Sequence, residues 1–135
     1  MAIWREFNNN PISRRVGDCA VRAVSLALGV PWERAFVLLV SNAYDMADMP
    51  SSDAVIGSVL RQNGFYRAVM PDSCPDCYTA EDFVHDNPDG TFVLFFGGHV
   101  ATIIDGQVWD AFDSTQEVPI FVWYRKDHPP FENKK

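Results

Sequence analysis

Past the four residues Asn87-Pro88-Asp89-Gly90 the apolar residues of this chain change their period. Before that point they recur at three- and four-residue steps, the spacing of helix faces. After it, Thr91 to Phe96, His99 to Ile104, Gln107 to Phe112 and Pro119 to Tyr124 are runs of β-branched and aromatic residues, which predict strands. Asp105-Gly106 between two of these runs is a two-residue hairpin signal. Helices first and an antiparallel sheet afterwards define an α+β layout.

Within the helical half, Ala20, Val21, Ala23, Val24, Leu26 and Ala27 predict a helix that opens near Asp18 and is closed by Gly29. Pro31 suits the first turn of a second helix through Trp32, Phe36 and Leu39. Met49-Pro50-Ser51-Ser52-Asp53 starts a third, which stops at Gly64. Phe65 to Met70 reads as a strand, and Thr79 to His85 as a short helix capped by Thr79. Residues 1–17, with Asn8-Asn9-Asn10-Pro11, read as an N-terminal loop, and residues 126–135 as a polar tail that frays. The 135 residues make one domain, 1–135, with no internal repeat.

A net charge of −7 disfavours a phosphate-binding surface, so no nucleic-acid partner is expected. No run approaches the roughly 18 apolar residues of a membrane span, and the N-terminus lacks the pattern of a secretory signal. A cytoplasmic, reducing location follows as the expectation, in which the three cysteines are free for chemistry rather than paired in a disulfide framework.

Cys19 stands alone, at the predicted start of the first helix. Unpaired backbone N–H groups and the helix dipole favour a thiolate there, which is what a nucleophilic cysteine needs. Gly17 leaves the thiol uncrowded, and the Asp18 side chain is expected to turn toward backbone amides, away from sulfur. His99 follows Gly97-Gly98 at the head of a strand and is the best-placed base; His85 and His128 lie in a turn and in the tail. Such Cys and His pairs meet in space rather than in sequence. A third, orienting residue depends on the hairpin. A two-residue turn puts Asp110 diagonal to His99 on one sheet face, whereas a glycine bulge puts Asp113 opposite it. Because Asp113 ends its strand where His99 begins its own, Asp113 ranks first and Asp110 second.

The stretches Gly17-Asp18-Cys19-Ala20, Gly97-Gly98-His99-Val100 and Trp109-Asp110-Ala111-Phe112-Asp113-Ser114-Thr115 resemble the papain-like cysteine peptidase superfamily. The resemblance implies a papain-like α+β fold, with a nucleophile opening a helix and His and Asp on neighbouring strands of the sheet beneath it. Transglutaminase-like and bacteriocin-processing relatives favour Asp113, and cell-wall peptidases of similar fold favour Asp110. More narrowly, Arg15-Val16-Gly17-Asp18-Cys19, Met49-Pro50-Ser51-Ser52 and Cys74-Pro75-Asp76-Cys77-Tyr78 resemble small papain-like proteins of phages and prophages. Papain's oxyanion-hole glutamine, six residues before its cysteine, is replaced here by Ser13. The Cys19 N–H stays a natural donor, and Asn8, Asn9 or Asn10 is a candidate for the second.

The expected activity is therefore that of a cysteine hydrolase or peptidase acting by acyl transfer on a peptide or amide-containing substrate. The alternative is a binding or adaptor module that keeps the fold without turnover. Cys74 and Cys77 have the spacing of half a zinc site. His85, His128 or a second copy of the chain would have to complete it, so a homodimer is among the expected partners. No other cofactor is implied. Arg14-Arg15 reads as solvated or as a contact for an acidic substrate, and Trp32, Trp109 and Trp123 as packing aromatics, with Trp109 a candidate groove residue.

Overall fold

The computed structural model describes residues 3–70 and 77–130. Within them the fold is mixed α+β, with helices α1 (Cys19–Leu28), α2 (Trp32–Met46), α3 (Asp53–Gln62) and α4 (Ala80–Asp86). The strands are β1 (Trp4–Glu6), β2 (Phe65–Val69), β3 (Thr91–Phe95), β4 (Val100–Ile104), β5 (Gln107–Asp110) and β6 (Phe121–Arg125).

Local signals set most of the helix ends. Gly29 terminates α1 in the left-handed conformation (φ 67°) and returns its N–H to the last turn, as a C-terminal glycine can do without a Cβ clash. Ser52 Oγ accepts from the Val55 N–H at the start of α3, and Thr79 forms a capping box with Asp82 at α4.

The strands form one sheet in the order β1-β5-β4-β3-β6-β2. All neighbours are antiparallel except β1 and β5, which run parallel with Trp4 opposite Val108 and Glu6 opposite Asp110. The sheet is thus mixed, a correction to the all-antiparallel expectation, and part of the supposed N-terminal loop is its edge strand. That strand has only three residues, two of them exposed charged side chains, so no apolar alternation marks it. In the C-terminal stretch the His128 N–H donates to the Arg125 carbonyl at 3.0 Å, and Pro130 is buried.

Helices lie on both faces of the sheet. On one, α1, α2 and α3 bury Val24, Leu39, Ile56 and Leu60 against Phe65, Val93, Phe95 and Trp123. On the other, α4 packs Phe83 and Val84 against Phe92, Leu94, Ile103 and Val122. Alternate residues of β3 therefore serve opposite cores, as the pleat requires. Helix α1 is pinned to the sheet by a buried hydrogen bond from Thr102 Oγ1 on β4 to the Ala23 carbonyl, 2.8 Å. This bond sets the helix that carries Cys19 against the strand that follows His99.

Candidate active site

Cys19 is the first residue of α1, where the geometry of a helix leaves its N–H without an intrahelical acceptor. Its sulfur lies beside the His99 side chain and the backbone N–H of Val100, and both favour the thiolate. His99 sits just after the β3–β4 hairpin, whose turn is Gly97-Gly98, both with positive φ (82° and 87°). The Phe96 N–H donates to the His99 carbonyl at 2.8 Å and closes that turn. The two glycines are there because a tight hairpin needs two left-handed residues.

His99 Nε2 lies 2.6 Å from Asp110 Oδ2, which leaves Nδ1 as the ring nitrogen for the Cys19 sulfur. Phe112 and Phe96 flank the imidazole, with ring centroids 4.7 and 6.0 Å away. Asp110 is 1 % exposed and all its company is polar. Oδ2 also accepts from Ser114 Oγ at 2.7 Å, and Oδ1 from the Ala111 N–H at 2.8 Å and from Arg22 at 3.3 Å. Four donors on one buried carboxylate fix it in orientation.

Of the two aspartates expected from sequence, only Asp110 reaches His99. The hairpin turn Asp105-Gly106 has positive φ at both residues (45° and 81°) and pairs Ile104 with Gln107 and Thr102 with Trp109. No bulge intervenes, so Asp110 stands diagonal to His99. Asp113, ranked first from sequence, is exposed and turns onto Thr115, accepting from its N–H at 3.0 Å and its hydroxyl at 2.6 Å. Those bonds hold the Asp113 carboxyl below its usual pKa and close a local turn.

Arg22 was not singled out from sequence. It lies on the buried side of α1, 6 % exposed, and its guanidinium bridges Asp18 and Asp110. The second oxygen of Asp18 accepts from Trp32 Nε1 at 2.9 Å. Asp18 therefore makes no side-chain cap; it does leave the sulfur, but toward Arg22 and Trp32 instead of the amides. The pairing neutralises a carboxylate adjacent in sequence to Cys19. The one available signal was an arginine at i+4 from an aspartate, set among residues of an otherwise apolar helix face.

The electrostatics of the pair follow from these neighbours. Burial pushes the Cys19 thiol up, but the His99 hydrogen bond, the Val100 N–H and the charges of His99 and Arg22 outweigh it and leave the thiol below its ordinary value. Burial pushes His99 down, yet the bonds to Asp110 and Cys19 win and raise it to about 9. A lowered thiol and a raised imidazole favour a thiolate–imidazolium pair.

The pair opens into a cavity of about 280 Å³ lined by Asn8, Arg15, Gly98 and Phe112 as well as the two reacting side chains. Of the three asparagines considered as oxyanion donors, Asn8 alone reaches this cavity. Its Nδ2 donates to the Arg14 carbonyl at 3.1 Å, which uses one of two amide hydrogens. Asn9 is spent on Ser25 Oγ at 2.8 Å, and Asn10 accepts from the Ile12 and Arg14 N–H groups. Arg15 pairs with Glu6 at 3.0 Å. Trp109 packs edge-on against Phe7 and lines no part of the cavity.

Cys19 is the free cysteine of the described residues. Cys77 is disulfide-bonded, contrary to the expectation of free cysteines; Cys74 lies outside the described residues. Among the described residues no cluster of three or more His, Cys, Asp and Glu side chains forms a metal site. No single helix there is long and apolar enough to cross a membrane. Compared with models of protein families, with curated proteins and with solved structures, the chain matches none, so the chemistry of Cys19, His99 and Asp110 is what speaks for function.

Proposed function

We propose that this chain is a papain-like cysteine hydrolase that acts by acyl transfer on a peptide or other amide substrate. The reading is carried by one observation: a thiol at a helix N-terminus lies beside an imidazole whose far nitrogen is held by a buried carboxylate. Three roles follow, those of nucleophile, acid–base and orienting acid.

The Cys19 thiolate adds to the carbonyl carbon, and the oxyanion is met by the Cys19 N–H. His99 gives its Nδ1 proton to the leaving nitrogen as the C–N bond breaks, which leaves a thioester on Cys19. Water then loses a proton to His99 and adds to the thioester, and departure of the thiolate releases the acid. Asp110 fixes the ring and stabilises the imidazolium. The second oxyanion donor in this scheme is the remaining amide hydrogen of Asn8.

Iodoacetamide labelling across pH tests the reading. Cys19 is expected to be alkylated rapidly below neutral pH, and His99→Ala to slow that reaction at pH 6 by about tenfold or more. Slow labelling that rises only near an ordinary thiol pKa, unchanged by His99→Ala, overturns the hydrolase and leaves a binding or adaptor module.

A further inference from the structure

A second cavity, about 620 Å³, lies between α3 and the β2–β6 side of the sheet. Its walls include Ala54, Gly57 and Arg61 of α3, Arg67 of β2, and Phe121 and Trp123 of β6. It shares no lining residue with the cavity of Cys19 and His99. Phe121 and Trp123 are two positions apart on β6, so their side chains leave the same face of the sheet, about 7 Å from one another along the strand.

Each of these two rings carries a guanidinium. Arg67 stands opposite Trp123 in the β2–β6 register and lies over Phe121, 4.7 Å from the ring centroid. Arg61, from the last turn of α3, lies over Trp123 at 5.1 Å. Such stacking holds a cation in place without using its N–H donors. Among the described residues, neither arginine makes an ion pair or a side-chain hydrogen bond. The carboxylate on the cavity wall, Asp53, precedes Arg61 by eight residues on α3, about 12 Å along the helix axis. The cavity therefore has a cationic end and an acidic end.

The cationic end holds a third donor. Trp123 is 2 % exposed, and among the described residues its Nε1 finds no acceptor. A Cβ built on Gly57 would meet Trp123 Cζ2 at 2.7 Å and Cε2, the carbon bonded to that nitrogen, at 3.5 Å. The N–H thus belongs to the edge of the indole turned toward the α3 wall, with Arg61 lying over the ring. A buried donor without a partner is costly, and an acceptor brought to it removes that cost.

We propose that this cavity binds a small organic oxyanion, a phosphate monoester or a carboxylate. Its charged head is clamped between Arg61 and Arg67, with one oxygen directed to the Trp123 N–H. Guanidinium forks match the paired oxygens of either head. The apolar body of the ligand lies on Ala54 and Gly57, the wall residues of α3 between Asp53 and Arg61. The site is independent of the acyl-transfer reading, because it uses none of the residues around Cys19.

Titration of the isotope-labelled full chain, followed by NMR at the Trp123 indole N–H, tests it at physiological salt. The probes are phenyl phosphate, phenylacetate and the neutral benzyl alcohol. At least one anion is expected to move the resonance saturably, and the tighter of the two identifies the head; benzyl alcohol is expected to leave it in place. Arg61→Gln and Arg67→Gln, both at exposed positions, should each weaken the binding about tenfold or more. Arg34→Gln, which removes the same charge away from the cavity, should leave it within about twofold. No saturable shift with either anion, an equal shift with benzyl alcohol, or an affinity unchanged by either cavity substitution overturns the site.

Discussion

Asp110 meets His99 at 2.6 Å along a diagonal of the β4–β5 hairpin, not straight across it. The residue that follows the β4–β5 register out to His99 is Phe112, whose ring packs against the imidazole. Orientation of the imidazole therefore comes from the last residue of β5, whose carboxylate is walled off from water. Asp113, exposed beyond the end of that strand, has no such shelter.

This division of labour is open to a direct comparison. Asp110→Asn should slow iodoacetamide labelling at pH 6 by about tenfold or more, because the imidazolium loses its partner charge. Asp113→Ala should leave that rate within about twofold. Equal effects from the two substitutions would reassign the orienting role.

The pH dependence carries opposite signs for the two reacting groups. Cys19 lies below its ordinary value and His99 is raised to about 9. The ion pair forms as pH rises through the thiol's lowered value and is lost as pH passes about 9, when the imidazolium deprotonates. Hydrolysis of a peptide amide, which needs that proton, should fall through about 9. Alkylation, which needs only the thiolate, should not. For stability, the raised imidazole contributes fully below its ordinary value of 6.5 and loses its contribution as pH climbs through about 9. Melting temperature measured from pH 6 to 10 should drop over that upper range, and His99→Gln should flatten the drop.

How much of this was legible without coordinates differs from residue to residue. Gly29, Ser52 and Thr79 act within a few positions of themselves, so their helix ends are visible in the string of letters. Cys19 and His99 were visible because a lone thiol at a helix start and a histidine heading a strand are both local features. The choice between Asp110 and Asp113 turned on one turn geometry, and sequence left the bulged and unbulged hairpins open. The place of Arg22 could not be read. Its burial is offset by Asp18, four positions away, and by Asp110, which reaches it only through the folded sheet. For the same reason β1 escaped notice: a three-residue edge strand is defined by its partner β5 and not by its own pattern.

Arg22 is the next position to test. Its replacement by Met leaves two buried carboxylates facing each other without a cation, and breaking such a buried network typically costs about 3–5 kcal/mol. Urea unfolding of Arg22→Met should show a loss of that order. In the protein that remains folded, the Cys19 labelling profile should move to higher pH, since Arg22 is among the charges that lower the thiol. Arg22→Lys, which keeps the charge and loses the fork, should fall between the two in both measurements.

A packing test lies on the far side of α1. A Cβ at Gly57 of α3 would stand 2.7 Å from Trp123 Cζ2, and Trp123 is itself 2 % exposed in the core. Gly57→Ala should destabilise the fold by about 1–3 kcal/mol through overpacking, even though alanine is the better helix former. A neutral or stabilising result in urea unfolding would mean that the indole can retreat.

The strand order has one more implication, for folding. β6 does not sit at the rim but is inserted between β3 and β2, so β2 joins the sheet only through a strand far from it in sequence. Such non-local pairing forms slowly compared with the β3–β4 and β4–β5 hairpins.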